Sequence, residues 1–194
     1  DKISYFKNQE KIIAEGNVKI IDNSKNILIS ANKILYFTKK QEIRAFEKVK
    51  LKDNSNNLSI ESEKFFYFKN KEKFIAEENV NLLDLKKDVN INSNMISYER
   101  NKDIIFSKGP TEVNIKSKYE LVSEDLTFLK KEMRLFSSKK SIITSKDFSL
   151  FELGTFDYQI DREYLKGTNI FFEENSNLPD GENDKYFFKN GFFD

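Results

Sequence analysis

Apolar and polar side chains alternate along most of this chain, and the alternation recurs in blocks. Ile12, Ala14, Gly16, Val18 and Ile20 share one parity, and Glu15, Asn17 and Lys19 the other. One block on, Ile43, Ala45, Val49 and Leu51 stand against Arg44, Lys48 and Lys50; the next copy gives Phe74, Ala76, Val80 and Leu82, and a fourth gives Ile105, Ser107, Val113 and Ile115. Period two with one face apolar and the other wet predicts antiparallel strands. Between these blocks lie segments whose parity changes halfway. Ile27, Ile29 and Ala31 are in phase, but Ile34 and Tyr36 are not; Leu58, Ile60 and Ser62 differ likewise from Phe65 and Tyr67, and Val89, Ile91 and Ser93 from Ile96 and Tyr98. A slip of one residue sends later side chains to the opposite face unless a bulge or bend absorbs it. The shared position predicts a kink that folds each long strand across two sheets.

Polar clusters separate the segments: KNQE (7–10), NSKN (23–26), TKKQ (38–41), NSNN (54–57), KNKE (69–72), LKKD (85–88) and RNKD (100–103). They leave strands of roughly 10 to 12 residues, longer than the usual 5 or 6. Tyr5, Tyr36, Tyr67 and Tyr98 recur every 31 residues, and Phe128 and Tyr158 continue the row. Self-similarity at this period marks a repeat architecture. Past residue 104 the repeat loosens, and Pro110, standing where earlier copies have Asn17, Lys48 and Asn79, predicts a bulge or interrupted pairing. The segment 175–184 reads as a polar loop. Asn190-Gly191, between aromatic flanks, reads as the turn of a hairpin whose second strand is cut short.

The chain has 194 residues, 33 basic and 32 acidic, for a net charge of +1. That balance argues against a dedicated nucleic-acid binder. Nineteen Phe and eight Tyr, with few Gly and Pro, favour strands over disorder. No Cys and no His removes disulfides, thiolate or imidazole metal sites, and histidine-based nucleophilic mechanisms. Glu15, Glu47, Asp22, Asp53 and Asp84 recur in register with the repeat, which reads as solvated strand and turn positions rather than acid–base pairs. NSKN and NSNN lack the ligand pattern of a calcium loop and the glycines of a phosphate cradle. No enzyme, cofactor or metal is expected. The tyrosine row reads as cross-strand packing. The apolar stripe fits either a closed core or, with small residues at 14, 45, 76 and 107, an open channel.

The segments AEGNVKIID, YFKNQEK and ISANKILYF resemble the recurring units of the lipopolysaccharide-transport family once called organic-solvent-tolerance (OstA-like) proteins, which includes the periplasmic bridge LptA and the N-terminal domain of the outer-membrane assembly protein LptD. The likeness spans residues 3 to about 174. It departs from the motif at Phe46-Glu47-Lys48, Glu78 and Gly109-Pro110, and its C-terminal stretch is more similar to LptD than to LptA. The resemblance implies an all-β fold, an elongated antiparallel β-jellyroll over residues 1–174. A loop and hairpin at 175–194 would lead toward an outer-membrane barrel. It implies a periplasmic location, and a groove lined by Ile12, Ala14, Val18, Ile20, Ile43, Ala45, Val49, Leu51, Phe74, Ala76, Val80, Leu82, Ile105 and Val113 that shelters lipid A acyl chains. The implied partners are lipopolysaccharide, an LptA-type bridge docking edge to edge near residues 3–20, and an LptE-type lipoprotein reached through the barrel. A structural repeat, such as the parallel β-solenoid of an adhesin or scaffold, is the rival expectation; antiparallel or parallel strand pairing separates the two.

Overall fold

The computed structural model describes residues 2–146, 149–174 and 184–193. Its contacts divide it into two units, residues 1–103 and 104–194. Every described strand pair is antiparallel, which removes the parallel solenoid.

The first unit is a meander of β1 (Lys2–Phe6), β2 (Lys11–Asp22), β3 (Ile27–Phe37), β4 (Glu42–Asp53), β5 (Leu58–Phe68), β6 (Lys73–Asp84) and β7 (Val89–Glu99), each paired with the next. The strands turn where the polar clusters stand. Each turn closes on a residue in the left-handed region: Glu10, Asn26, Gln41, Asn57, Glu72, Asp88 and Asp103 all have φ between 46° and 56°. Turns at the same end are tied main chain to main chain. The Thr38 amide donates to Glu10, Lys69 to Gln41 and Arg100 to Glu72 at one end; Asn54 donates to Asn26 and Leu85 to Asn57 at the other.

Midway along, every ladder from β2–β3 to β6–β7 shifts register. Glu15 pairs with Lys33 and Val18 with Ala31; Phe46 pairs with Lys64 and Val49 with Ser62; Glu77 pairs with Met95 and Val80 with Ser93. One extra residue is therefore held by β2, β4 and β6, the strands whose parity is unbroken in the sequence. Gly16 (φ 106°), Glu47 (63°), Lys48 (53°), Glu78 (64°) and Asn79 (53°) carry the bulge in left-handed backbone. The irregularity expected at the phase change in β3, β5 and β7 is present as a bulge, and the neighbouring strand supplies the residue that absorbs it.

With the bulge in place, both halves of each strand turn their apolar residues inward, and these line up in rows across the sheet. One row runs Ile12, Tyr36, Ile43, Tyr67, Phe74 and Tyr98; a second runs Ala14, Ile34, Ala45, Phe65, Ala76 and Ile96. The alanines sit opposite large side chains, and this alternation of small and large fills a layered interior. Phe74 packs edge-on against Tyr67 at 4.7 Å and lies 5.7 Å from Tyr98.

The second unit is framed by β8 (Ile104–Ile115) and β15 (Tyr164–Glu173), two long bent strands. Between their first halves lie β10 (Thr127–Leu129), β11 (Arg134–Ser137) and β14 (Thr155–Gln159); between their second halves lie β9 (Tyr119–Glu124), β12 (Ser141–Ser145) and β13 (Leu150–Leu153). The bends fall at Gly109 (φ 77°) and Asn169 (φ 47°). Beside Gly109, Pro110 marks the point where β8 changes partner from β10 to β9, as its position predicts.

The last strand, β16 (Lys185–Phe193), corrects one expectation. It runs unbroken along β15, with Asn190 opposite Thr168 and Gly191 opposite Gly167, so Asn190-Gly191 is not a hairpin turn. A two-residue turn of that kind needs positive φ at both positions, and neither residue has it. The loop expectation at 175–184 lies outside the described residues except at Asp184.

The strained bulge gives a direct test. Glu47→Gly relieves a left-handed conformation that costs an L-residue about 1 kcal/mol. The urea midpoint of the first unit should therefore rise at unchanged slope; a fall would mean that the Glu47 side chain itself holds the bulge.

Candidate functional site

The interior of the first unit is built from the inward rows, and it changes character along the repeat. Ile12, Ala14, Val18 and Ile20, on β2, are half-buried. From β4 onward the same rows are closed: Ile43, Ala45, Val49, Leu51, Phe74, Ala76, Val80 and Leu82 expose at most 3% of their surface. In the second unit Ile105 and Val113 are equally buried. Side chains lining a lumen wide enough for water would keep accessible area, and these keep essentially none. At Ala45 and Ala76 the room that small residues leave is taken by Phe65, Ile34 and Ile96 across the ladder.

The tyrosine row runs from exposed to buried in the same direction. Tyr5 is exposed, Tyr36 half-buried, and Tyr67, Tyr98 and Phe128 fully buried. The Tyr98 hydroxyl donates to Asp103 Oδ1 at 2.8 Å. The Tyr67 hydroxyl finds no hydrogen-bond partner among the described residues. Burial first, and the nearby Asp22 charge second, push it up to about 12.

The recurring aspartates overturn a second expectation. Asp53 and Asp84 are wholly buried rather than solvated, and the Asp22 side chain is nearly so. Each closes the turn that follows it. Asp22 accepts from the Ser24 hydroxyl, Asp53 from the Asn56 amide, and Asp84 from the amides of Lys86 and Lys87.

Two of them also reach turns at the other end of the strands. Asp22 meets Lys69 Nζ at 3.0 Å, and Arg100 grips Asp53 with Nε at 2.7 Å and Nη2 at 3.3 Å. Between these contacts Lys25 pairs with Glu72, which also receives Arg100 Nη1 at 3.3 Å. In each of the pairs 22–69, 25–72 and 53–100 the separation is 47 residues, one and a half repeats. This seam of ion pairs was not read from the sequence. Its only trace there is that Asp22 and Asp53 recur with the repeat while Lys69 and Arg100 recur in step with them at the opposite turns.

The seam is electrostatically well made. The hydrogen bond from Lys25 outweighs burial and holds Glu72 below its ordinary value of 4.5. At Asp22 burial opposes ionisation, but the bonds from Ser24 and Lys69 prevail and lower it from 3.8. Arg100, only 11% exposed, is raised chiefly by its bond to Asp53.

In the second unit a single pair, Lys118 with Glu163 at 2.7 Å, joins the turn after β8 to the turn before β15, and both side chains are largely exposed. Beneath it lies an apolar cavity of about 310 Å³ that Tyr119, Ile143, Tyr158 and Leu165 help to line. Among the described residues, no three carboxylates gather as a metal site.

Comparison with known proteins yields a family and a fold. The family model described as OstA-like protein matches residues 1–150. Among solved structures the chain is similar to LptH, the LptA-homologous periplasmic component of the lipopolysaccharide transport device of Pseudomonas aeruginosa. The TM-score is 0.54 at 10% identity, covering 69% of this chain and 96% of that one. No curated protein matches. The shared fold is the antiparallel β-jellyroll.

Two measurements test the seam as a source of stability. Arg100→Met leaves Asp53 buried and uncompensated, so it should destabilise the first unit by about 3 kcal/mol, while Lys118→Met at the exposed pair should leave the urea midpoint essentially unchanged. Glu72 and Asp22 have lowered folded values, so their contribution is complete above their ordinary values of 4.5 and 3.8 and is lost as pH falls through the lowered ones. Urea midpoints taken from pH 7 to pH 2.5 should fall in that acid window, and less steeply in Glu72→Gln.

Proposed function

The chain belongs to the family of OstA-like proteins, and from that membership we propose that it is a lipopolysaccharide transport protein whose apolar interior shelters acyl chains. The family's fold is a transport fold without catalysis. The observation that carries the reading is the graded interior: apolar rows run unbroken across β2 to β7 and lie half-open at β2. An acyl chain gains about 0.8 kcal/mol per methylene on leaving water. Rows of Ile, Val, Leu and Phe that repeat along the strands offer it similar shelter at each register, so movement is nearly level in free energy. The lining is the set from Ile12 to Val113 named above, with Ile12, Ala14, Val18 and Ile20 as the accessible part.

The partner we assign to the β1 edge is a bridge protein of the LptA type. β1 is short, and its Ile3 and Tyr5 are 78% and 61% exposed. An unpaired edge of this kind accepts a strand from another chain. We further read the chain as the N-terminal domain of an LptD-type outer-membrane protein, with an LptE-type lipoprotein reached through its barrel. In support, β13 to β16 lie at or past the end of the matched family span. A free-standing periplasmic bridge is the second reading, favoured by the 96% of LptH that the chain covers.

A photo-reactive residue at Val18 should crosslink to purified lipopolysaccharide, and one at the exposed, outward Lys19 should not. Equal labelling at both, or silence at both in a folded protein, would count against the conduit. The double substitution Ile3→Lys, Tyr5→Lys should abolish edge-to-edge assembly with a bridge protein at an unchanged unfolding midpoint, because neither side chain is packed.

A further inference from the structure

Two kinds of bond hold the first unit, and they differ in how they can part. Main-chain ladders join each strand to the next, and main-chain bonds tie each turn to its neighbour at the same end. Where the two ends meet, side chains make every contact: Asp22 with Lys69, Lys25 with Glu72, and Arg100 with Asp53, Glu72 and, at 3.0 Å, the main-chain carbonyl of Lys25. Opening a ladder exposes a whole row of amides and carbonyls. Opening the seam exposes ions, which water solvates well.

The interior beneath the seam is full. Phe65, Tyr67, Phe74 and Tyr98 are at most 1% exposed, so an acyl chain has no room there while the seam is shut. Along the opposite side of the same half-strands runs the line of bulges at Gly16, Glu47-Lys48 and Glu78-Asn79, where the ladders are already interrupted. A line of weak ladder facing a line of separable ion pairs is the arrangement of a hinge and a latch. The second unit offers an internal comparison: beneath the exposed pair of Lys118 with Glu163, the interior holds a cavity rather than packed rings.

We propose that the seam of ion pairs spaced 47 residues apart is a gate. It is latched over a filled interior when the protein is empty, and it parts about the bulge line to admit an acyl chain. This rests on the transport reading above and adds its regulation. The tyrosine row sits at the threshold: the unpartnered Tyr67 hydroxyl lies within the field of Asp22, Arg100, Glu72 and Asp53.

The native chain has no cysteine, so the latch can be locked cleanly. The full chain carrying Lys25→Cys and Glu72→Cys is oxidised or reduced, with p-azidophenylalanine replacing Tyr67 in one sample and Val18 in another. Each is irradiated with purified lipopolysaccharide. The gate predicts labelling at 67 that is lost on oxidation and restored on reduction, while labelling at 18 persists throughout. In the cysteine-free chain Arg100→Gln should raise labelling at 67. Labelling at 67 that ignores the redox state, or labelling at 18 with none at 67 in any state, overturns the gate and leaves the conduit standing. Silence at both positions overturns the transport reading, and the gate with it. The pair Asp22→Cys, Lys69→Cys locks the same line and decides the outcome if the first pair does not fold or oxidise.

Discussion

A strand that changes its apolar phase midway and still turns its apolar side chains into one interior must be matched by a neighbour with one residue more or fewer at that point. Side chains alternate with a period of two, so an uninterrupted ladder would put half of that strand's apolar residues into water. Here the correction is made once per repeat, by one extra residue in β2, β4 and β6 opposite the phase change in β3, β5 and β7. The two strands of a repeat are complementary: one breaks its pattern over regular backbone, and the other keeps its pattern over a bulge. The filled core, the rows of alternating small and large residues and the meeting of the two strand ends all follow from that match.

Much of this is written in the chain, because a period of 31 residues multiplies weak signals. Strand lengths, turn positions, the mid-strand irregularity and the pairing sense were legible in that way. What failed was what the repeat cannot report. Asp53 and Asp84 look like turn residues in water, and their burial depends on side chains 47 residues away or on amides in the turn they close. Asn190-Gly191 carries a strong local hairpin signal, but pairing along the length of β15 overrides it. Arg100 is one more basic residue in a polar cluster until the fold brings it to Asp53.

The choice between filled core and open channel could not be made from pattern alone, since Ala45 and Ala76 suit both. Contacts decide it locally: Phe65 and its neighbours occupy the space beside them, whereas the equivalent rows on β2 are flanked on one side only by the short, exposed β1 and stay half-open. An apolar stripe states that a surface will leave water. Whether it does so against itself or against a lipid depends on what lies across from it, and that is a property of the assembled roll.

The spacing of the seam has a bearing on how such a chain can lengthen. Each latch joins positions one and a half repeats apart, and each turn is tied to the turn one repeat away at its own end. Adding or removing a whole repeat shifts both members of the later contacts together and returns an aspartate to a basic partner. Adding a single strand would reverse which end each turn occupies and set bulge against unbroken ladder. The chain can thus grow only in steps of two strands, so the reach of the roll is quantised by its own electrostatics, and duplication of one 31-residue segment suffices to extend it.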